Sequence, residues 1–184
     1  PGTLFLMGSE WCPWLDGYLA EAKVAEGISK ARIGIDFQPP TGYSDYVPFQ
    51  EKQIPFLFVS TGACGHYHQP GDTPDKLDYP RMAQHVAFMR DVVTLALGAD
   101  EPLVWRAPPE PRLEEIRAVK GLVELAIPKL DELQVPGAMR VMVTNFDAYL
   151  GKIIERGAVT PVERSSVRST ARMLFQQAVM LQAK

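Results

Sequence analysis

Residues 54–79, with the sequence IPFLFVSTGACGHYHQPGDTPDKLDY, join an apolar run to a loop that is rich in chemically active side chains. The run at 54–59 has the pattern of a buried strand. The loop that follows carries five metal-capable or proton-handling residues within ten positions: His66, Tyr67, His68, Asp72 and Asp75. Because α/β folds place ligand sites in the loops after the carboxyl ends of their strands, this loop is the first candidate for a functional site.

Strand-like and helix-like segments alternate through the first hundred residues. Apolar or alternating patterns predict strands at residues 3–7, 31–37 and 55–60. Helical patterns occur at residues 13–26 and 79–97, and residues 44–52 have the pattern of a loop that enters a short helix. In the helix at 79–97, a spacing of three to four residues predicts one apolar side, formed by Met82, Val86, Met89, Val93 and Leu97. This alternation predicts an α/β fold with a mostly parallel sheet that is covered by helices.

The composition changes at a proline-rich stretch. We therefore predict three parts: an α/β domain at 1–104, a boundary at 105–111 and a helical extension at 112–184. Periodic apolar residues predict helices in the extension at 112–133, 137–155 and 161–182. Pro128 is expected to kink or split the first of them. Thr160 and Glu163 form a capping-box pattern at the start of the last one.

Overall composition excludes several classes of function. The chain has 184 residues, 46% of them hydrophobic, and a formal net charge of −3, so it has no basic footprint for nucleic acid. No apolar run approaches the roughly 20 residues that a membrane span requires. Residues 3–7 open the chain as a strand and not as a signal peptide. Cys12 and Cys64 could come close in space, but two cysteines do not define a disulfide framework, and free thiols are the favoured state.

Three short segments occur in order along the α/β part: GYSDYVPF at 42–49, QIPFLF at 53–58 and YHQPGDTPDK at 67–76. They resemble the Ser-Asp-His-x-Pro-Phe, Gly-Ile-Pro and Tyr-His-x-Pro-x-Asp-Thr-x-Asp motifs of the M28 family of zinc aminopeptidases. The resemblance is to the C-terminal half of that family's domain and covers residues 2 to about 98. It implies a partial zinc-exopeptidase-like fold and leaves the helical extension uncovered.

The resemblance implies roles for the loop residues. His68 matches the family's final zinc ligand, and a neutral imidazole suits zinc. Tyr67 matches the position whose hydroxyl stabilises the oxyanion of the tetrahedral intermediate. Asp72 and Asp75 are then candidates for orienting His68 or for pinning the loop.

The resemblance also implies what the site requires elsewhere. Asp45 and Tyr46 match a segment that lines the substrate pocket, and Tyr46 stands where many relatives have histidine. The family binds two zinc ions, and in relatives the other ligands and the general base lie before the point where this chain starts. The chain is therefore expected to be a truncated piece of a peptide-hydrolysing enzyme, inactive alone, with zinc absent or weakly bound. The alternative is a non-catalytic peptidase-like domain for binding or assembly.

Several residues have a structural interpretation beside the functional one. His66 is expected to be exposed, and His85 to be structural within its helix. Glu114 and Glu115 are expected to form a solvated first helical turn, which the helix dipole favours. Trp11 and Trp14 either pack in the protein or line the rim of a cleft, and the sequence favours packing.

The sequence indicates the class of partner and the class of compartment, but no individual partner. The three amphipathic helices of the extension could form a bundle against the α/β part or offer an apolar face to a second copy of the chain. A peptide is the substrate that the family resemblance implies for the complete enzyme. The same resemblance implies a secreted, periplasmic or membrane-associated parent protein.

Overall fold

The computed structural model describes residues 2–37, 44–62, 66–106 and 110–182 of the chain. Its three strands are β1 (Gly2–Met7), β2 (Ile28–Arg32) and β3 (Phe58–Ser60). The α-helices are α1 (Pro13–Glu21), α2 (Val47–Glu51), α3 (Tyr79–Leu97), α4 (Leu113–Ala126), α5 (Gly137–Arg156) and α6 (Pro161–Gln182). Short 3₁₀ turns occupy Ser9–Trp11, Ile35–Phe37, Pro74–Lys76 and Ile127–Lys129. Two features of the sequence lie outside the described residues, namely Cys64 and the prolines at 108 and 109.

The strands form a small mixed sheet in the order β2-β1-β3. Strand β3 runs antiparallel to β1, with Phe5 opposite Ser60 and Met7 opposite Phe58. The prediction of a mostly parallel sheet is therefore wrong for this pair. The physical reason is that an apolar run indicates that a strand is buried, but it carries no information on the direction of the strand.

The described chain divides into two compact units. The first comprises Pro1–Ala31 and Tyr43–Pro109, and the second comprises Arg32–Gly42 and Glu110–Lys184. A short segment from the first third of the sequence thus belongs with the C-terminal helices. The domain boundaries predicted from the proline-rich stretch stay a prediction.

The core of the first unit lies between the sheet, α1 and α3. Leu4 and Leu6 of β1 are almost completely buried, and Gly8 ends the strand. Gly8 has a φ of 100°, and a Cβ atom there would lie 2.5 Å from the Phe56 ring, so only glycine fits. The buried cluster is completed by residues of α1 and its two flanking positions and by residues of α3: Cys12, Leu15, Leu19, Ala22, Phe88 and Val92.

The core of the second unit is a helical bundle. Helices α4, α5 and α6 contribute its largest buried apolar residues: Ile116, Val119, Leu150, Ile153 and Val167. The segment Arg32–Gly42 adds Ile33, Ile35 and Phe37, which are all at most 5% exposed. None of the described helices is both long and apolar enough to span a membrane.

Strand boundaries differ from the predictions where the backbone changes direction. Strand β2 ends at Arg32, and Ile35–Phe37 forms a 3₁₀ turn where the sequence pattern predicts strand. A Cβ atom at Gly34 would lie 2.5 Å from the Arg164 side chain, so the chain here approaches α6 closely. Strand β3 begins only at Phe58, three residues after Pro55, which lies in the predicted strand but has no N–H group for a sheet ladder.

Helix α3 has the predicted bounds but presents a different side to the core. Phe88 and Val92 are each 2% exposed, whereas most of the predicted apolar side is exposed: Met82, Val86, Val93 and Leu97. The helix carries two apolar stripes, and periodicity alone does not show which of them meets the sheet.

The helical extension follows the sequence pattern closely. Helix α4 ends at Ala126, and the 3₁₀ turn Ile127–Lys129 contains Pro128, so the predicted split is confirmed. The predicted capping box is confirmed as well. Thr160 Oγ1 accepts a hydrogen bond from the Glu163 N–H at 3.2 Å, and Glu163 Oε2 accepts one from the Thr160 N–H at 2.9 Å.

Candidate functional site

The loop after β3 is a series of tight, exposed turns. The Gln69 N–H donates to the His66 carbonyl at 2.9 Å, and the Asp72 N–H donates to the Gln69 carbonyl at 3.0 Å. The rings of Tyr67 and His68 stack with centroids 3.9 Å apart and an interplanar angle of 20°. Tyr67 is 59% exposed, so its hydroxyl is available to a ligand. His66 is exposed, as predicted.

The backbone of His68 is unusual. Its φ of 58° lies in the left-handed region, which a residue other than glycine occupies uncommonly. Such conformations cost free energy and are concentrated at functional sites. The left-handed backbone of His68 therefore makes this residue a candidate for a functional position.

The two aspartates of the loop, Asp72 and Asp75, are exposed to solvent. Within the described residues, neither of them hydrogen-bonds to His68. Asp75 lies in the 3₁₀ turn Pro74–Lys76, and the Lys76 ammonium donates to the Gly71 carbonyl. The loop is thus closed by a lysine, and support of His68 by a carboxylate stays a prediction.

The predicted pocket residues lie in different surroundings. Tyr46 packs in an aromatic cluster: its ring stacks on Phe56 at 5.3 Å and meets Phe58 edge-on, also at 5.3 Å. Asp45, next to it, is exposed. Tyr46 therefore contributes packing to the first unit, and its role toward a substrate stays a prediction.

The antiparallel direction of β3 changes the position of the loop. Ser60, the last residue of β3, pairs with Phe5 near the middle of β1, whereas Phe58, the first residue of β3, pairs with Met7 at the carboxyl end of β1. The carboxyl end of β3 therefore points away from the carboxyl end of β1. The expectation that this loop follows a parallel strand, at the usual ligand-binding edge of an α/β sheet, does not hold.

The described residues do not fit a zinc centre. Among residues 2–37, 44–62, 66–106 and 110–182, no group of three or more His, Cys, Asp and Glu side chains could hold a metal ion. Zinc in proteins takes three or four such ligands. His68 stacks on Tyr67, and no carboxylate within the described part of the chain hydrogen-bonds to its imidazole.

Sequence reasoning missed Glu10, a buried acid in the first unit. It is 7% exposed, and its Oε2 atom accepts a hydrogen bond from the Gly8 N–H at 2.8 Å. Ser9, which is fully buried, donates through Oγ to Asp16 Oδ1 at 3.0 Å. The available signal was a polar Gly-Ser-Glu sequence immediately after a buried strand, where a side chain at the sheet edge can enter a site.

The densest group of charges lies in the second unit. We call Asp36, Glu115, Arg164 and Arg168 the arginine–carboxylate cluster. Arg164 binds Glu115 through Nε at 2.6 Å and Nη2 at 3.0 Å, and it binds Asp36 through Nη1 and Nη2 at 2.9 Å each. Arg168 Nη1 donates to Asp36 Oδ2 at 2.8 Å. The guanidinium of Arg164 thus makes two bidentate contacts at once.

The cluster shifts the pKa values of two of its members, Asp36 and Arg164. Burial alone would raise the pKa of Asp36, but hydrogen bonds and positive charge from Arg164 and Arg168 lower it below its ordinary value. Burial alone would lower the pKa of Arg164, and the two carboxylates raise it, so the guanidinium stays charged. Asp36 and Arg164 therefore both stay charged at neutral pH.

Glu115 corrects a prediction. Its side chain is 0% exposed, whereas the sequence predicted a solvated first turn for the pair Glu114 and Glu115. Glu114 does meet solvent and pairs with exposed Arg117 at 3.5 Å. Two arginines explain why a carboxylate is buried here: Arg164, 49 residues further along the chain, and Arg112, whose Nη2 atom lies 3.4 Å from Glu115 Oε1.

The remaining candidates have simple environments. Cys12 is buried and has a free thiol. His85 lies within α3, and its buried Nε2 atom has no hydrogen-bond partner among the described residues, so its structural role stays a prediction. Trp11 stacks on Trp105 with ring centroids 4.6 Å apart, whereas Trp14 is 51% exposed.

Comparison with known protein families gives one match, which lies in the N-terminal part of the chain. Residues 5–93 match the family model described as Peptidase family M28, and the helical remainder of the chain lies outside this match. The resemblance that the three motifs indicated is therefore confirmed for the N-terminal part of the chain. No curated protein and no solved structure matched the chain. These findings support a peptidase-like function at the level of the family.

Proposed function

We propose that this chain is the peptidase-like part of an M28-type aminopeptidase and that the 184 residues alone do not hydrolyse peptides. The match of residues 5–93 to the peptidase family carries the first half of the proposal. The second half rests on the described residues, which do not bring together the ligands of a metal-activated water. Zinc would belong to the complete enzyme, with the other ligands supplied from outside the described residues.

The loop residues have distinct roles in this proposal. His68 would hold the metal. Its left-handed backbone costs stability, and this cost supports a functional role for the residue. Tyr67 would stabilise negative charge on a tetrahedral intermediate, since its ring is fixed by stacking and its hydroxyl is exposed. Asp72 and Asp75 would support the loop, and Asp45 and Tyr46 would border the substrate.

The decisive experiment measures zinc content and aminopeptidase activity on the same purified chain. We expect less than one zinc per chain by elemental analysis and no release of p-nitroaniline from aminoacyl-p-nitroanilides. His68→Ala should reduce whatever zinc binding calorimetry detects, whereas the matched control His66→Ala should leave it unchanged. Two zinc ions per chain together with turnover that His68→Ala abolishes would overturn the claim of inactivity and would support the site.

A second candidate function is a non-catalytic domain for binding or assembly. The observation that favours it is Asp36, which lies inside the family-matched segment and is held by Arg164 and Arg168. A carboxylate neutralised in this way is a poor metal ligand or base. Peptide binding that persists in a chelator, without cleavage, would favour this function over the first.

Self-association would be one form of such assembly. The apolar residues of the C-terminal helices are the proposed surface, with a second copy of the chain as the partner. Light scattering after size-exclusion chromatography measures this directly. A mass equal to one chain at all concentrations would exclude the assembly role through these helices.

A further inference from the structure

Helix α1 has an outer face of unusual composition. Trp14, Gly17, Tyr18 and Glu21 are spaced i, i+3, i+4 and i+7, so they form one stripe, while Leu15 and Leu19 face the core. The solvent side of a surface helix is usually charged. Here it carries two aromatic rings, and Trp14 is 51% exposed.

This stripe forms one wall of an open cleft. The cleft has a volume of about 490 Å³ and is lined by Pro13, Trp14, Gly17, Tyr18, Glu21 and Arg106. Such a volume lies within the range of roughly 300–1,000 Å³ that is common for ligand sites. Its floor is open at Gly17, where an added Cβ atom would meet no other atom within 4 Å.

The two charges of the cleft lie at opposite ends. The Arg106 backbone N–H donates to the Trp11 carbonyl at 2.7 Å, which places Arg106 near the beginning of α1. Glu21 is the last residue of the same helix. Among the described residues, neither side chain forms an ion pair or a hydrogen bond, so both charges remain available to a ligand.

The walls of the cleft are held in place before any ligand arrives. The Lys30 ammonium donates to the Leu19, Ala20 and Ala22 carbonyls at 2.8, 3.1 and 2.7 Å, which fixes the end of α1. At the other end, the stacked rings of Trp11 and Trp105 hold the backbone that carries Arg106. A preorganised wall lowers the entropic cost of binding.

We propose that this cleft binds an extended, proline-containing peptide segment that carries a cationic group at one end and a carboxylate at the other. The helix from Pro13 to Glu21 spans about 12 Å at 1.5 Å per residue. A polyproline II segment rises about 3.1 Å per residue, so about four residues fill this length. The carboxylate pairs with Arg106 and the cation pairs with Glu21.

The chemistry of the two aromatic rings suits this ligand. Proline rings dock between exposed tryptophan and tyrosine side chains, and the polyproline II backbone leaves its carbonyls free to accept hydrogen bonds. The indole N–H of Trp14 and the hydroxyl of Tyr18 are donors at the edge of the cleft. Proline also restricts the free peptide, so less entropy is lost on binding.

Calorimetric titration with three capped tetrapeptides tests the proposal on the full chain. The probe is acetyl-Lys-Pro-Pro-Glu-amide. The controls are acetyl-Gln-Pro-Pro-Gln-amide, which lacks the charges, and acetyl-Lys-Ala-Ala-Glu-amide, which lacks the prolines. We expect each control to bind about tenfold more weakly or not at all, and Trp14→Ala to weaken the probe about tenfold. Equal binding of all three peptides, or no binding of the probe at millimolar concentration, would refute the proposed ligand.

Gly17→Leu separates a binding site from a structural feature. The new side chain has room in the free protein and occupies the floor of the cleft, so binding should fall at least about tenfold, while thermal stability is kept or raised. The matched control is Gly151→Leu, a helical glycine of α5 whose added Cβ atom also meets nothing within 4 Å. It should bind the probe normally. Unchanged binding by the folded Gly17→Leu variant would place the peptide elsewhere and overturn the proposal.

Discussion

The loop at residues 66–76 and the arginine–carboxylate cluster use polar residues in opposite ways. In the loop, Tyr67 is 59% exposed, and the aspartates lie on exposed turns. In the cluster, the Glu115 side chain is 0% exposed and that of Arg164 only 12%. The loop is recognised by its sequence motif, whereas the cluster is recognised only in the structure, by its buried charges.

The difference shows which polar residues are committed to the fold. A buried carboxylate without a partner would be strongly destabilising, so Glu115 is stable in its position because Arg164 and Arg112 pair with it. The loop residues carry no such requirement, since solvent can satisfy each of them. Exposed residues are therefore free to serve a ligand, whereas the cluster serves the structure of its unit.

Removal of Arg164 should give the largest change in the free energy of unfolding. Arg164→Met leaves the buried Glu115 with only the longer 3.4 Å contact to Arg112, and it leaves Asp36 with only Arg168. We expect a loss of about 3–5 kcal/mol in the free energy of unfolding, the cost that is typical of breaking a buried ion pair. Urea denaturation followed by circular dichroism measures it.

The matched control is Arg117→Met in the exposed pair with Glu114. Surface pairs contribute about 0–1 kcal/mol, so this variant should unfold almost like the parent chain. Equal losses in the two variants would show that burial does not distinguish the cluster from the surface. The double variant Arg164→Met, Glu115→Gln should regain part of the lost stability, because it removes the stranded charge.

Acid should act on the cluster through Asp36. Because its pKa is lowered in the folded state, Asp36 contributes stability that is complete above its ordinary value of 3.8 and is lost as the pH falls through the folded value. The free energy of unfolding should therefore fall from about pH 5 downward. In Asp36→Asn this decline should be shallower.

Urea denaturation at several pH values between 5 and 3 tests this comparison. The informative quantity is the difference in slope between the parent chain and Asp36→Asn, because other carboxylates titrate in both. His68→Ala in the exposed loop is the control and should follow the parent slope. A slope that Asp36→Asn leaves unchanged would show that the pairs of Asp36 contribute nothing across this range.

Replacement of His68 by glycine should give a smaller effect of opposite sign. Glycine adopts a φ near 58° without steric cost, whereas most L-residues pay about 1–2 kcal/mol there. Histidine tolerates this region better than most, and glycine adds an opposing cost of about 0.4–1 kcal/mol in unfolded-state entropy, so a net gain of at most about 0.5 kcal/mol is expected for His68→Gly. His68→Ala should give no such gain. A loss of stability in His68→Gly would show that the imidazole itself holds the loop.

The sequence predicted the parts of the fold that depend on local signals. The bounds of α3, the split at Pro128 and the capping box at Thr160 follow from periodicity, from a missing N–H group and from hydrogen bonds between near neighbours. The direction of β3 was not predictable in this way. Strand pairing between positions 5 and 60 is a long-range property that no local pattern encodes.

The same distinction applies to the candidate site. The motif around Tyr67 and His68 is contiguous, so it was visible in the sequence, and its match to a peptidase family is confirmed. The cluster joins Asp36 and Arg164 across 128 positions, and each residue alone has the pattern of an ordinary surface charge. Only packing of the helical unit brings such residues together.

An exposed ion pair in the helical unit gives the smallest expected effect and tests the comparison within one chain. The hydrogen bond from Arg156 at 2.6 Å, together with those from the Thr160 N–H and hydroxyl, lowers the pKa of Glu163 to about 2. A carbon-detected NMR titration should find this value in the parent chain. Arg156→Met should raise it toward 4.5, and the remaining bonds from Thr160 should keep it lower than that.

Glu163, like the carboxylates of the cluster, accepts several hydrogen bonds, but it is reached by solvent. Arg156→Met should therefore change the free energy of unfolding far less than Arg164→Met does. Arg117→Met, remote in sequence from this capping box, should leave the Glu163 titration unchanged. If Arg156→Met destabilised the chain as much as Arg164→Met, the number of hydrogen bonds and not burial would decide how strongly a carboxylate depends on its arginine.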